Sequence, residues 1–195
     1  MPTITRLART TDTQVRVEVD GAPWRTLPTL LVDGLGFTIG TELTRPLLRA
    51  LKHQLRRREA ASKAERILAS SDTSTARLGA ALERSGVAPR DREALVDTLA
   101  SSGLLCDARA SHARATALAN RGYGNLAIEL KLETEGYEGA DRQAAIESLD
   151  SERTRAERVL DGKNFDPMKA AGLLARRGFN EDLCETIAGI HGADL

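Results

Sequence analysis

The chain has 195 residues, and its 28 lysines and arginines balance 28 aspartates and glutamates, so the formal net charge is zero. This balance argues against a protein that coats nucleic acid with its whole surface, because such proteins are strongly basic. No apolar stretch approaches the ~20 residues of a membrane helix and no signal segment is recognisable, so we expect a cytoplasmic protein that does not contact a membrane. Aromatic residues make up only 3% of the chain, which favours closely packed helices over a sheet-based core.

Residues 1–43 are predicted to form a small β-rich extension. Valines alternate with charged residues over positions 15–19, as in a strand with one buried face, and Asp20-Gly21 is a tight-turn signal. The strands expected here are residues 3–9 and 13–19, with a short continuation around Trp24 after the turn. The sheet must lean on a further strand or on helices, and residues 37–39 are the candidate for that strand. Trp24 is expected to fill the centre of this small core, because a large aromatic side chain favours burial.

Residues 44–58 are predicted to form a basic linker helix. Thr44 and Pro46 mark its start. Positions 45–66 hold eight lysines and arginines against two glutamates. Three successive arginines, residues 56–58, cannot all face a core, so at least one projects into solvent. The basic run is either a solvated helix face or a surface that contacts phosphates.

A thirteen-residue pattern occurs three times, ending at Gly86, Gly136 and Gly178. Leucine stands four residues before each glycine and an apolar residue eight before. This spacing is helical, and a glycine at its end supplies a left-handed cap. The copies are 50 and 42 residues apart (136 minus 86, and 178 minus 136), which indicates a degenerate repeat.

Each copy is predicted to be the middle helix of a three-helix repeat, with repeats at residues 59–103, 104–150 and 151–195. Asp107 is expected to cap the first helix of the second repeat. Because a repeat of this length cannot bury its apolar face alone, neighbouring repeats must stack. The predicted fold class is therefore mainly α: three tandem three-helix repeats in an elongated, curved array, preceded by a small β-hairpin or sheet piece.

No catalytic or metal-binding set stands out in the sequence. The three histidines lie far apart, and Cys106 and Cys184 have no second ligand residue nearby. Gly122-Tyr123-Gly124 does not predict a phosphate loop, because no lysine follows at the required spacing. We expect a protein without enzymatic activity, cofactor or metal.

Several short motifs occur in a fixed order that is typical of one family. They are Leu78, Leu82 and Gly86, then SGLLCD at 102–107, RGYG at 121–124 with Ile128, Leu132 and Gly136, and LARRGF at 174–179. In this order and spacing, residues 64–190 resemble the RecX family of regulatory proteins. The N-terminal piece is similar to the small β extension that some members carry.

The resemblance implies a non-enzymatic modulator of homologous recombination and DNA repair, within the SOS response. Such a protein binds the filament of RecA recombinase on single-stranded DNA and most often inhibits its ATPase and strand exchange. The implied partners are the RecA filament and, through the basic helix, single-stranded DNA; we expect a monomer. The candidate partner-binding or DNA-binding residues are Arg56, Arg57, Arg58, Arg66, Arg109, Arg114 and Arg121.

Departures from the family pattern leave a second interpretation open. Members usually have an aromatic residue where Ala110 stands, and basic residues near Thr116 and Leu118. This chain is therefore expected to bind its partner more weakly or through other residues. The alternative is a helical-repeat adaptor that binds another protein without touching nucleic acid, which would explain the zero net charge.

Overall fold

The computed structural model describes residues 1–70, 72–162 and 165–188. The chain divides into a first unit, Met1–Ser62, and a second unit that begins at Lys63. In the described part, β structure is confined to the first unit and all other regular elements are helices. The predicted class, mainly α with a small N-terminal β piece, is confirmed.

The first unit is built on an antiparallel sheet of three strands in the order β1-β2-β3. The strands are β1 (Ile4–Thr11), β2 (Gln14–Val19) and β3 (Ala22–Pro28), followed by helix α1 (Thr29–Gly34). Asp20 and Gly21 both have positive φ, 52° and 82°. A two-residue turn with two positive φ angles matches the right-handed twist of the strands, so the predicted tight turn is confirmed.

Two predictions for this unit are wrong. The strand expected at residues 37–39 does not form. The third strand of the sheet is β3, which includes the predicted short continuation around Trp24, because the tight turn leads straight back along the free edge of β2. Trp24 does not fill the core. It lies in a bulge of β3, between Pro23 and Arg25, which pair with Glu18 and Val17 of β2. The residue is 36% exposed. The Arg25 guanidinium lies 5.9 Å from the centroid of its ring.

Helix α2 (Arg45–Ser70) is continuous through the boundary predicted at residue 58. It begins where predicted, because the Thr44 hydroxyl accepts a hydrogen bond from the Leu47 amide at 3.4 Å. Leu51 packs into the apolar cluster of the sheet, and Ala64 into the first cluster of the second unit. The predicted limits of the three repeats stay a prediction.

The second unit continues with eight helices in its described part. They are α3 (Thr75–Arg84), α4 (Pro89–Ser101), α5 (Asp107–Asn120), α6 (Asn125–Thr134), α7 (Gly139–Glu147), α8 (Glu152–Leu160), α9 (Pro167–Arg176) and α10 (Glu181–Ala188). The glycines predicted as left-handed caps have φ angles of 75° (Gly86), 81° (Gly136) and 76° (Gly178), which confirms them. No helix in the described ranges is both long and apolar enough to cross a membrane.

Three separate buried clusters follow one another in the second unit. Leu78 and Leu82 of α3 centre the first, Ile128 and Leu132 of α6 the second, and Leu174 of α9 the third. All five side chains are completely buried. The predicted middle helices therefore each supply the centre of a core, as expected for a helical repeat whose units share the same internal packing.

Candidate partner-binding surface

The middle helices α3 and α6 meet end to end. Ser74 caps α3, because its hydroxyl accepts a hydrogen bond from the Arg77 amide at 3.2 Å, and the same hydroxyl donates to the Glu135 carbonyl at the end of α6. A Cβ atom added to Gly136 would lie 2.6 Å from the Ala76 Cβ. Only glycine therefore fits at this junction, because any side chain would collide with Ala76. The positive φ of Gly136 is a second, independent reason for glycine here.

The next junction, between α6 and α9, is made by backbone against backbone. The Gly124 amide donates to the Arg177 carbonyl at 2.9 Å, and the Leu126 amide donates to the Gly178 carbonyl at 3.0 Å. A Cβ atom on Gly124 would lie 2.3 Å from the Gly178 oxygen. The two junctions thus use equivalent positions of the repeat, with a serine at the first and a glycine at the second.

A carboxylate at the start of each following repeat caps the middle helix before it. Asp107 accepts from the Thr75 amide at 2.8 Å and from the Thr75 hydroxyl at 3.0 Å. Glu152 accepts from the Asn125 amide at 2.6 Å. The prediction that Asp107 caps its own helix is wrong, because Cys106 occupies the cap position of α5 and the carboxylate reaches α3 instead.

In the first unit, residues 56–58 of α2 place three arginines side by side. All three are exposed, whereas Leu51 and Ala60 of the same unit are buried. Among the described residues no hydrogen bond or ion pair of these three guanidiniums is found. Successive residues of a helix are turned by about 100°, so the three charges spread over a wide sector of the helix surface.

The candidate arginines of the second unit lie in different surroundings. Arg66 is exposed on α2. Arg109 donates to the carbonyls of residues 103 and 104, at 3.2 and 3.3 Å, just past the end of α4. Arg114 binds the Glu135 carboxylate through Nε at 3.0 and 2.9 Å, and this hydrogen bond raises the pKa of Arg114. Arg109 and Arg114 therefore fasten neighbouring helices in the present structure.

Arg121, at the end of α5, belongs to a different group. It lies about 18 Å from Arg109 along the helix axis, since twelve residues separate them. It lines a cavity of about 270 Å³ with Arg155, Arg158 and Arg177. We call these four residues the arginine pocket. The other three members were not predicted, although Arg155 and Arg158 stand three apart on α8 and so share one helix face.

The chain is similar in sequence to a known regulatory protein. No family model matches the chain. Regulatory protein RecX of Chromohalobacter salexigens is 33% identical over 126 residues, which cover 59% of this chain and 81% of the relative. The chain belongs to the RecX family. The resemblance inferred from the order of short motifs is thereby confirmed.

Solved RecX structures have the same fold. The crystal structure of a regulatory protein RecX superimposes with a TM-score of 0.72 at 16% identity, covering 97% of this chain and all of the other. The crystal structure of RecX from Lactobacillus salivarius gives a TM-score of 0.59 at 14% identity, over 69% of this chain and 96% of the other. The first of these similarities covers nearly the whole chain and so includes the N-terminal sheet.

A contact between a histidine and a serine joins α5 to the end of α7 in this RecX-family chain. His112 Nδ1 lies 2.9 Å from the Ser148 hydroxyl, which itself donates to the Ala145 carbonyl at 2.7 Å. A nucleophilic serine would instead donate to the histidine, so this contact fastens α5 to the end of α7. In the ranges that the structure describes, no cluster of three His, Cys, Asp or Glu side chains suited to a metal is found.

Proposed function

We propose that this RecX-family chain is a non-enzymatic regulator of RecA, which binds the RecA–single-stranded DNA filament and lowers its ATPase and strand-exchange activity. The observation that carries the proposal is the 33% identity to a curated regulatory protein RecX over 81% of that protein. The proposal includes the three repeats at residues 59–103, 104–150 and 151–195, a cytoplasmic location and a monomeric state.

The contact with the filament is assigned first to the exposed arginines of α2. Residues 56–58 and Arg66 are exposed, and arginine is well suited to phosphate oxygens because its planar fork donates two parallel hydrogen bonds. Contacts of this kind position a protein on nucleic acid without reading its sequence. Such contacts suit a regulator that binds filaments formed on single-stranded DNA of any sequence.

Arg121 is a second contact in the proposal, whereas Arg109 and Arg114 contribute less. Arg114 would have to leave the half-buried Glu135 carboxylate before it could bind a phosphate. Breaking such a pair leaves a desolvated charge without its partner, which is costly. We therefore expect Arg114 to support the surface by fixing α5 against α6.

Co-sedimentation with RecA filaments on single-stranded DNA tests the proposed contact. We expect reversal of residues 56–58 to glutamate to weaken binding by about tenfold or more, because several phosphate contacts are lost together. The matched control reverses Arg9, Arg16 and Arg25, three exposed arginines of the sheet strands, which changes the net charge equally. Equal loss in both variants, or no loss in either, would contradict the assignment to α2.

A protein adaptor without nucleic-acid contact is the second candidate. It is favoured by two leucines one turn apart on α6, Leu126 and Leu130, which are 62% and 63% exposed. Exposed apolar side chains on one helix face are typical of sites that bind another protein. Binding to a protein other than RecA, with filament assembly unaffected and Leu126→Ser abolishing the binding, would replace the first proposal by this one.

A further inference from the structure

The arginine pocket lies between the second and third repeats. Arg121 and Gly122 reach it from the end of α5, Arg155 and Arg158 from α8, and Arg177 from the end of α9. At about 270 Å³ the cavity is smaller than the ~300–1,000 Å³ of pockets that enclose drug-sized ligands. Its size therefore suits a single ionised group or a short part of a larger molecule.

Positive charge is in excess around this cavity. Four arginines line it, and the acidic groups acting on Arg155 are Asp150 and Glu152. The Glu152 carboxylate already accepts a hydrogen bond from the Asn125 amide. Asp150 pairs with Arg158, but both side chains are about 60% exposed, and exposed pairs of this kind contribute little free energy. A small anion can therefore displace Asp150 from Arg158 at low cost.

Arg155 is the most unusual member of the pocket. Only 4% of its surface is exposed, and it donates to the Asp150 carbonyl at 3.1 Å, to the Tyr123 carbonyl at 3.0 Å and to the Asn125 Oδ1 atom. These three acceptors are neutral, and among the described residues no ion pair of Arg155 with a carboxylate is found. Burial lowers the pKa of Arg155. A buried cation held only by neutral acceptors is stabilised when an anion binds beside it.

Two other arginines complete the site in complementary ways. Arg177 is fixed, because its Nη1 donates to the Arg121 carbonyl at 2.9 Å and to the Gly122 carbonyl at 3.3 Å. A Cβ on Gly122 would lie 2.5 Å from this nitrogen, so the glycine makes room for the guanidinium. The Arg121 side chain is exposed, and no hydrogen bond of its guanidinium is found in the described part of the chain. Arg121 is thus available to close over a ligand.

We propose that the arginine pocket is a binding site for a phosphate group. Two fixed guanidiniums, Arg155 and Arg177, supply the positive potential, while the exposed Arg121 and Arg158 supply the donors that bind the oxygens in pairs. The group is carried either by a small phosphate compound or by the backbone of single-stranded nucleic acid. The inference goes beyond the proposed function, since it does not require RecA.

Isothermal titration calorimetry of the full chain in phosphate-free, low-salt buffer tests the site, with pyrophosphate and a short oligothymidylate as probes. Arg121→Ala and Arg158→Ala should each weaken binding of pyrophosphate by about fivefold or more, because each removes charge-assisted hydrogen bonds. Arg153→Ala is the matched control, an exposed arginine of the same helix that does not line the pocket. It should change the affinity by less than about twofold. Thermal melting of each variant confirms that it is folded.

The two sources of phosphate give different outcomes. If both pocket variants weaken pyrophosphate alone, the ligand is a small phosphate compound; if they weaken the oligonucleotide as well, it is the nucleic-acid backbone. Absence of binding to both probes, or an equal effect of Arg153→Ala, would overturn the proposal. Binding of polyglutamate in place of both phosphate probes would also overturn it and assign the pocket to an acidic protein segment.

A variant that should bind more tightly keeps the test independent of any damage to the fold. Asp150→Asn removes the carboxylate that competes for Arg158. The affinity for pyrophosphate should then rise by about threefold, because the positive potential of the pocket increases. An unchanged or lower affinity would remove the electrostatic basis of the proposal.

Discussion

The close approach of α6 and α9 predicts a specific order of stability among three glycine-to-alanine variants. Gly86 and Gly178 end equivalent helices with φ angles of 75° and 76°. No described atom lies within 4 Å of a Cβ placed on Gly86, but a Cβ on Gly178 would lie 2.5 Å from the Ala127 Cβ and 2.6 Å from its amide nitrogen. At Gly124 the situation is reversed. Its φ of −81° suits any residue, but an added Cβ would clash with the backbone of Gly178.

The expected costs follow from these geometries. Gly86→Ala should lower the free energy of unfolding by about 1–2 kcal/mol, because alanine is less stable than glycine in the left-handed conformation. Gly124→Ala should lower the free energy of unfolding by about 1–3 kcal/mol, because its only cost is that of forcing a methyl group into a filled space. Gly178→Ala has both, so it should lose ~3 kcal/mol or more, because the backbone of Ala127 cannot move aside as a flexible side chain would.

Urea unfolding followed by far-ultraviolet circular dichroism measures all three free energies of unfolding. We expect Gly178→Ala to be the least stable variant and Gly86→Ala to retain most of the stability. If Gly178→Ala and Gly86→Ala agree within about 0.5 kcal/mol, the usual error of such comparisons, then the repeats do not meet backbone to backbone and the reasoning fails.

Three further predictions concern single side chains. Asp107→Ala removes the acceptor of the Thr75 amide and hydroxyl and should cost about 1 kcal/mol in the same urea assay; an unchanged midpoint would show that this cap adds nothing. Burial raises the pKa of Tyr137 to about 12. With the other tyrosine replaced by phenylalanine, tyrosinate absorbance should appear near that pH, and the fold should lose stability as the pH rises from ~10 towards 12, because only the neutral phenol suits the core. A transition near pH 10 in the folded protein would contradict this. Burial also raises the pKa of the Cys184 thiol, so a disulfide reagent should modify the half-buried Cys106 first; equal rates would show that Cys184 is accessible.

The repeat could be predicted because its signals are local. A leucine four residues before a glycine marks a helix and its left-handed end within one stretch of chain, and the angles of Gly86, Gly136 and Gly178 agree. The Asp20-Gly21 turn is equally local. What the pattern does not indicate is that two of these glycines also allow a neighbouring helix to approach, since that contact joins residues far apart in the sequence.

The features missed by sequence reasoning depend on long-range contacts. Asp107 looked like the cap of its own helix, yet its partner Thr75 is 32 residues away. Trp24 lies in a bulge whose position depends on strand register. Arg155 is buried although arginine is seldom buried, and its acceptors lie on an adjacent repeat as well as just before its own helix. In each case the partner or the burial of the side chain depends on residues that are distant in the sequence.

The same contrast applies to the candidate arginines. Their basic character is a property of composition, and the exposure of residues 56–58 follows from three successive positions on one helix. By contrast, nothing in the sequence distinguishes Arg114, which is held by Glu135, from Arg121, which lines a cavity. The pairing of Arg114 depends on how α5 packs against the end of α6, so only the structure separates the two.

The rate of ATP hydrolysis by RecA on single-stranded DNA tests the central proposal most directly. Purified protein, added at micromolar excess over RecA filaments, should lower the steady-state rate, and reversal of residues 56–58 to glutamate should restore it. A rate that stays unchanged across the titration, with the protein shown to be folded, would contradict the proposal that this RecX-family chain regulates RecA.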